Sequence, residues 1–417
     1  MIDETVHDTV HYDPRSKEVL ESPFAAYAEL REKCPIHRYD GMDPTFYSVT
    51  RYTDVREVLN DVDTWSSAKG TTLMHLGHPV GVLSDPPEHT EFRKLFQSRL
   101  LPKALAHHAK HVEEVVHQLL DRLQQSDEGD LYEDYASLLP LTVICQLLGL
   151  PSDLETVQHL RGITDDLVAS GFGGGNPKRS DWLERYTELA RFFNVHIQQR
   201  REIARQAGIE KLSMEHVGTV LPDDLTSLFV CATYQGEYLR DSEIQFTLYG
   251  LLLGGSKATS GLISNLFMRL LEEPSRWEQV KANPDLIDIA IEESLRMDAP
   301  TLGMWRTSTC PVTMHGVEIP ENAKLMVLYG SANHDASVFS DPETFRLDRS
   351  MDELRKHVAF GFGPHFCAGA HLARMEARMT LVEVIRRMPK LRMNGTPERL
   401  TTTFSFWGRK KLPVAWG

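Results

Sequence analysis

The sequence predicts one large, mainly α-helical domain with small β-sheets, and three observations support this. Apolar residues recur at helical spacing over the segments 23–33, 87–97, 103–125, 133–149, 183–206, 242–272, 285–297 and 368–388. Strand signals are few: residues 45–52 alternate, and residues 312–329 indicate a hairpin that turns at Pro320-Glu321-Asn322. No stretch has the composition of an interdomain linker, so we expect a single domain over residues 1–417.

The composition is that of an ordinary globular protein, with 41% hydrophobic and 25% charged residues. This excludes disordered, collagen-like and disulfide-scaffold proteins. A chain of 417 residues can bury a core large enough to enclose a cofactor. The formal net charge of −14 argues against a nucleic-acid-binding protein.

Cysteine usage and the N-terminus predict a soluble cytoplasmic protein, which we expect to be a monomer. The five cysteines are scattered and odd in number, so a reducing compartment fits better than a disulfide framework. The first ten residues lack the pattern of a signal peptide, and the longest apolar stretch, residues 246–255, is too short to span a membrane. Residues 171–181 are rich in glycine and predict either a mobile lid or a plain surface loop.

The most informative segment surrounds Cys367. Gly361, Gly363 and Pro364 precede this cysteine and favour an irregular loop, and Ala368-Gly369-Ala370 opens a strong helical pattern. Cys367 should therefore lie at a helix N-terminus, where backbone amides favour a thiolate. Small residues on both sides of Cys367 allow a flat ligand to approach the backbone closely. A thiolate with open space on one side is what axial ligation of haem iron requires.

Other interpretations of Cys367 stay open on the residues alone. A lone cysteine is most often a buried and inert side chain, and a cysteine nucleophile is conceivable. Zinc is a poor candidate, because His365 is the one close second ligand and a zinc site needs three or four.

The pattern Phe360-x-x-Gly363-x-x-x-Cys367-x-Gly369 resembles the haem-binding signature of the cytochrome P450 family, with every fixed position present. Glu293-Ser294-Leu295-Arg296 matches the family's Glu-x-x-Arg helix motif, and Glu293 and Arg296 share one helix face. The resemblance extends from about residue 20 to Trp416. It implies the cytochrome P450 fold, with haem b (iron protoporphyrin IX) between the long central helix and the cysteine loop, and Cys367 as the iron ligand.

The resemblance also implies which residues contact the haem. His89 and Arg93 are four residues apart on one helix face, and two donors there suit a carboxylate, although a surface pair is the alternative. The family's other propionate contacts map onto Arg306 and His365. The remaining cofactor contacts that we assign lie in the signature loop: Phe360, Gly361 and Gly369.

The resemblance to soluble bacterial members implies that electrons come from a ferredoxin and a ferredoxin reductase. A small acidic ferredoxin would dock on the face behind Cys367, which basic residues should flank despite the acidic chain. These are Lys94, Arg99, Lys103, Arg355, Lys356 and Arg374.

The chain departs from the family at the oxygen-activating helix, which segment 242–272 should form. The family carries Ala/Gly-Gly-x-Asp/Glu-Thr there, and this chain has Gly254-Gly255-Ser256-Lys257-Ala258-Thr259. In one register Lys257 replaces the acid and Ala258 the threonine; a one-residue slip restores Thr259 as the alcohol but puts Ala258 at the acid. Either way the acid–alcohol pair that relays protons is broken. Lys257 could donate protons itself or extend outward into solvent.

We therefore expect O2-dependent monooxygenation of a small to mid-sized apolar or aromatic substrate. The alternative is oxidation without oxygen insertion (coupling, cyclisation or crosslinking) or a peroxide-driven reaction. A non-enzymatic haem carrier and a cysteine hydrolase are the other classes. By resemblance, substrate contacts fall near residues 67–82 and 165–185 and at Leu253, Gly254, Leu302, Met304, Trp305 and Phe404, with Phe406 and Trp407 as further candidates.

Overall fold

The computed structural model describes residues 10–73, 81, 83–171 and 179–417, most of which form helices. The α-helices are α1 (Lys17–Glu21), α2 (Phe24–Lys33), α3 (Tyr52–Asn60), α4 (Glu88–Gln97), α5 (Pro102–Leu123), α6 (Leu139–Leu148), α7 (Leu154–Gly171), α8 (Arg179–Gln206), α9 (Leu225–Cys231), α10 (Asp241–Leu271), α11 (Pro274–Ala282), α12 (Leu286–Met297), α13 (Tyr329–Ala332), α14 (Met351–Leu354) and α15 (Ala370–Arg387).

The strands are short and, within the described residues, form one five-stranded sheet and four smaller ones. They are β1 (Ile36–Tyr39), β2 (Phe46–Val49), β3 (Trp65–Ser66), β4 (Glu128–Asp130), β5 (Thr233–Tyr234), β6 (Glu237–Tyr238), β7 (Met304–Ser308), β8 (Val312–Met314), β9 (Val317–Ile319), β10 (Lys324–Val327), β11 (Arg392–Met393), β12 (Glu398–Arg399), β13 (Arg409–Lys411) and β14 (Pro413–Ala415). The largest sheet has the order β1-β2-β10-β7-β3, in which β2 and β10 are parallel and the other pairs are antiparallel.

Helix α10 is the centre of the packing. Its 31 residues span roughly 45 Å, and it packs against α6, α8, α12 and α15. Most of its side chains are buried, which explains why its sequence is apolar on nearly every face. The core therefore surrounds α10, and the functional residues lie where α10 passes the start of α15.

The predicted helical segments correspond to α2, α4, α5, α6, α8, α10, α12 and α15, with one internal break. Segment 133–149 is not continuous: a π-turn covers Tyr132–Ala136 and α6 begins at Leu139, with Pro140 in its first turn. Proline lacks the N–H that a continuous helix would need there, so the helix restarts at that point. Helices α3, α7, α9 and α11 and the short helices α1, α13 and α14 are not among the predicted segments.

The position predicted for the turn of the hairpin over residues 312–329 is wrong. Strands β8 and β9 join through His315 and Gly316, which have φ angles of 49° and 81°. A two-residue turn with positive φ at both positions is the tightest way to connect antiparallel strands. Residues around Pro320 instead lead to β10, which pairs with β2 and β7 in the large sheet.

A fully buried ion cluster connects α12 to the segment that leads into the cysteine loop. Arg296 donates two hydrogen bonds to the Glu293 carboxylate, at 2.7 and 2.9 Å, and Arg349 donates a third at 3.0 Å. Arg296 also donates to the carbonyl of Asn333, whose side-chain oxygen accepts the backbone N–H of Val358 at 2.8 Å. Both side chains of the Glu293–Arg296 pair are 0% exposed, so the cluster is shielded from water.

We predict that Arg296→Met destabilises the protein by about 3–5 kcal/mol, because it leaves a buried carboxylate short of a partner. Chemical denaturation followed by circular dichroism measures the loss. The matched control is Arg205→Met on α8, which removes a Glu-x-x-Arg pair of the same spacing whose arginine is 74% exposed. An equal loss of stability in both variants would contradict the prediction.

Candidate functional site

A cavity of about 380 Å³ lies between α10 and the loop that precedes α15. The residues of α10 that line it include Leu253, Gly254, Gly255, Ala258, Thr259 and Leu262. On the opposite side it is lined by Phe360, Gly361, His365, Phe366, Cys367, Ala368, Gly369, Leu372 and Ala373. The cavity thus has the long helix on one face and the predicted signature loop on the other.

The loop places Cys367 at this cavity through backbone geometry. The backbone N–H of Cys367 donates to the carbonyl of Phe360 at 2.9 Å, which closes the loop. Gly363 has a φ of 72°, and a Cβ atom there would lie 2.7 Å from the carbonyl oxygen of Leu59. Glycine is therefore required at position 363 both by its dihedral angle and by the close approach of α3.

Two opposing effects act on the Cys367 thiol. Burial raises its pKa, and hydrogen bonds from the backbone amides of Gly369 and Ala370 oppose this rise, together with the charges of Arg93 and Arg374. The helix-terminus effect expected from the sequence is present, but burial outweighs it. A positively charged partner at the sulfur would reverse the balance and favour the thiolate.

One end of the cavity is lined by four nitrogen-bearing side chains: His89, Arg93, Arg306 and His365. The two imidazole rings lie 4.0 Å apart between centroids. His89 Nδ1, Arg93 Nε, Arg306 Nε and His365 Nε2 are buried and have no hydrogen-bond partner in the protein. Buried polar nitrogens without a partner are costly, and the two arginine N–H groups need acceptors, so this end of the cavity suits a ligand that supplies hydrogen-bonding oxygens.

The electrostatics of this end favour an anion. Burial and the charge of Arg93 lower the pKa of His89 to about 4, and burial and the charge of Arg306 lower the pKa of His365 to about 2. No aspartate or glutamate is among the described residues that line the cavity. A flat ligand that carries carboxylates at one edge therefore fits the cluster, and Cys367 lies at the same cavity.

The two glycines of α10 have different roles. A Cβ atom on Gly254 would meet nothing within 4 Å, and this residue lines the cavity, whereas a Cβ atom on Gly255 would lie 2.9 Å from the Ile144 side chain of α6. Gly254 thus leaves room for a ligand. Gly255 allows α6 to pack closely against α10.

The structure separates Lys257 from its neighbours Ala258 and Thr259. Ala258 and Thr259 line the cavity, but Lys257 does not, and its ammonium group is paired with Asp165 of α7. Burial lowers the pKa of Lys257, and the Asp165 carboxylate counteracts this. The lysine is therefore neither a cavity residue nor a solvated surface side chain, because its side chain is only 11% exposed.

The predicted substrate contacts divide into two groups. Leu253, Gly254, Met304 and Phe406 line the cavity. Leu302, Trp305, Phe404 and Trp407 instead pack in a separate core cluster beside the N-terminal helices. The reason is strand alternation: Met304 and Arg306 point from β7 to the cavity, so the intervening Trp305 must point to the opposite face.

Several cavity residues were missed from the sequence. Phe246 and Tyr249 lie seven and four positions before Leu253, on the same face of α10, so helical spacing could have found them. Trp182 falls within the expected region 165–185, and Ser67, Gly70, Thr71 and Thr72 within region 67–82. Residues 74–80, 82 and 172–178 of these two regions lie outside the described residues. Tyr329, near Arg306, had no sequence signal.

Comparison with known proteins decides the family. The family model described as Cytochrome P450 matches residues 16–406. The chain belongs to the cytochrome P450 family. It is 31% identical to a steroid C26-monooxygenase of Mycolicibacterium smegmatis, over 93% of this chain and 91% of that protein. It is also 31% identical to cytochrome P450 107B1 of Saccharopolyspora erythraea, over 93% of each.

Solved structures of cytochromes P450 share the fold. The crystal structure of CYP109E1 from Bacillus megaterium in complex with testosterone superposes with a TM-score of 0.82 at 28% identity, covering 96% of this chain and 100% of that one. The cytochrome P450 PksS of Bacillus subtilis gives 0.83 at 26% identity, covering 98% and 100%. The protein is thus a cytochrome P450 oxidoreductase of the monooxygenase type, from a family that binds haem.

Two further properties concern the described part of the chain. None of its helices combines the length and hydrophobicity needed to cross a bilayer. Nor do its histidine, cysteine and acidic side chains form any group of three or more that could hold a metal ion on their own. Among these residues, Cys367 thus has no second and third ligand of the kind that a zinc site requires.

We predict that removing the two imidazole side chains weakens haem retention. In His89→Leu/His365→Leu the haem carboxylates would lose two buried hydrogen-bonding partners, so the rate of haem transfer to a globin scavenger at pH 7 should rise by roughly tenfold or more. His371→Leu, which replaces an exposed residue of α15, should keep the wild-type rate. An unchanged rate in the double variant would contradict the prediction.

Proposed function

We propose that this cytochrome P450 is a haem-thiolate monooxygenase of a small to mid-sized apolar or aromatic substrate, working as a single domain over residues 1–417. The observation that carries the proposal is the position of Cys367, at the same cavity as four cationic or imidazole side chains that each have a buried nitrogen without a partner. Haem b fits this arrangement. Cys367 would bind the iron, and His89, Arg93, Arg306 and His365 would hold the propionates.

When bound, haem would supply the activation of dioxygen, and the residues of this chain would hold the cofactor and tune its sulfur ligand. Phe360, Gly361 and Gly369 line the cavity beside Cys367, and a Cβ atom on Gly369 would lie 3.9 Å from the sulfur. The amides of Gly369 and Ala370 donate to the sulfur and moderate its charge. Glu293 and Arg296 act on this loop indirectly, through Asn333 and Val358.

The aromatic residues that line the cavity support an apolar or aromatic substrate. Trp182 stacks on Tyr186 with ring centroids 5.0 Å apart, and Tyr249 meets the Tyr186 ring edge-on at 5.4 Å. Phe246 packs 5.8 Å from Tyr249. Trp182, Phe246 and Tyr249 line the cavity, and such an aromatic wall favours flat or polycyclic ligands. The names of two relatives, which refer to a steroid and to testosterone, agree with this class.

Proton supply in this enzyme would rest on Thr259, ordered water or the substrate. Thr259 is the alcohol that α10 presents to the cavity, and no carboxylate of a described residue accompanies it. Lys257 is engaged by Asp165 and directed away from the cavity. The lysine therefore holds α10 to α7, and we assign no proton transfer to it.

The second candidate is oxidation without oxygen insertion, or a peroxide-driven reaction. It is favoured by the same lack of a carboxylate on the described cavity wall, because oxygen insertion depends on delivered protons. Product analysis separates the two: incorporation of labelled oxygen from O2 supports monooxygenation, and a coupled or cyclised product without it supports the alternative.

We propose a ferredoxin and its reductase as electron donors, with docking behind Cys367. Of the six basic residues predicted for that surface, two already form ion pairs within the protein: Arg99 with Asp223, and Arg374 with the buried Glu292. Lys94, Lys103, Arg355 and Lys356 are exposed and are the better candidates for contact with an acidic partner. All five cysteines are free thiols, which agrees with a reducing compartment.

We predict that Cys367→Ala abolishes the thiolate-type absorbance of the reduced, carbon-monoxide-bound protein, because it removes the iron ligand. Cys310→Ala is the control, since Cys310 is another free cysteine but does not line the cavity. Titration of the wild type with a library of apolar and aromatic compounds should shift the haem spin state. A thiolate-type spectrum that persists in Cys367→Ala would overturn the proposed function.

We predict that Thr259→Val diverts electrons to peroxide, whereas Lys257→Met changes the coupling of electron use to product by no more than about twofold. A positioned proton donor is worth about 10²–10⁴-fold, and of these two residues only Thr259 is at the cavity. Restoring the family pattern with Lys257→Asp plus Ala258→Thr should improve the coupling of electron use to product only modestly. Peroxide yield per electron, with a surrogate ferredoxin, measures all three. A large loss of coupling in Lys257→Met would make the lysine a proton donor.

A further inference from the structure

A second buried cationic cluster lies away from the cavity, where β12 and β13 meet the end of α10. Arg399 and Arg409 are direct neighbours across these two strands. All three side-chain nitrogens of Arg399 are buried without a hydrogen-bond partner, and so is Nε of Arg409, whose side chain belongs to a residue only 9% exposed. Like charges opposite each other in a strand pair are destabilising unless something lies between them.

The carboxylates nearby are already engaged. Asp298, whose side chain is 0% exposed, accepts two hydrogen bonds from Arg269, at 2.5 and 3.0 Å, and one from the Trp407 indole at 2.9 Å. Glu272, at the rim, is paired with Arg269 and Arg276. Burial and mutual repulsion lower the pKa of Arg399, and burial lowers that of Arg409.

Arginine does not release its proton in proteins. The Arg399 guanidinium lies over the Trp407 ring, a cation–π contact that offsets part of its charge but leaves its N–H groups without an acceptor. The geometry points to a binding site for a small oxyanion, phosphate or a carboxylate, between the guanidinium groups of Arg399 and Arg409. Planar guanidinium groups with free N–H donors match the oxygens of such anions. Neither the haem nor the substrate of the proposed function has a part in this site.

The site would act on the substrate cavity through the segment between the two arginines. Residues 400–408 form a loop whose base is closed by the hydrogen bond from Leu400 N–H to the Gly408 carbonyl. Trp407 N–H donates to the carbonyl of Pro300, and Phe406 lines the cavity. An anion that joins Arg399 to Arg409 would tighten the base of this loop and so hold Phe406 at the cavity wall.

The test uses the haem-loaded protein at constant ionic strength, with chloride replaced stepwise by inorganic phosphate. In the wild type we expect a saturable rise of about 2–5 °C in the melting temperature and slower amide exchange over residues 400–408. Both responses should vanish in Arg399→Met/Arg409→Met and persist in Lys410→Met, an exposed residue of the same strand. Acetate in place of phosphate tests whether a carboxylate suffices.

In phosphate-free buffer the double variant should melt no lower than the wild type, because it has lost two uncompensated like charges. Three results would overturn the proposal. One is an equal phosphate response in the double variant, which is the general effect of salting out. Another is an equal rise in the melting temperature of the wild type when chloride, and no phosphate, is added in a separate titration. The third, independent of any variant, is the absence of saturable one-to-one phosphate binding to the wild type by calorimetry.

Discussion

The Glu293 carboxylate is the constraint on which the haem-binding side of the molecule depends. It accepts from Arg296, from Arg349 and from the backbone N–H of Arg346. Arg296 in turn holds the carbonyls of Asn333, Pro342 and Thr344. A carboxylate placed in the core can be stable only if every oxygen is satisfied, so the cluster forces α12 and the segment 333–349 into one arrangement. The cysteine loop follows directly from this segment.

The cavity wall carries positive charge, although the chain as a whole is acidic. The chain carries a net charge of −14, yet the described residues that line the cavity include Arg93 and Arg306 and no acid. Burial and the neighbouring arginine charges lower the pKa values of His89 and His365, so the positive charge at this end of the cavity comes from the two arginines. On the proposed function, haem recognition is electrostatic at this edge, whereas the substrate region is aromatic and apolar.

Much of this could be predicted from the sequence where a local rule applied. Helical spacing located α5, α10 and α15, and the glycines before Cys367 indicated the loop. The misses have physical causes. Trp305 is apolar and beside two cavity residues, but its strand turns it to the other face. Segment 312–329 has the strand pattern of a hairpin, and the tighter turn at His315-Gly316 takes precedence. Tyr329 and the partner of Lys257 depend on long-range packing, which no local pattern encodes.

Lys257 shows how the structure accommodates the departure from the family's acid–alcohol pattern in α10. In the register that aligns Lys257 with the family's acid and Ala258 with its threonine, a cation stands at the acid position, and the Asp165 carboxylate of α7 compensates it. Arg161 lies 3.8 Å from Asp165 and pairs with Glu133, so the charges form a connected group on this side of α10. Because this group holds the lysine away from the cavity, its positive charge does not oppose an apolar substrate. On the proposed function, the acid–alcohol pair is broken in either register, and Thr259, water or the substrate would supply protons in its place.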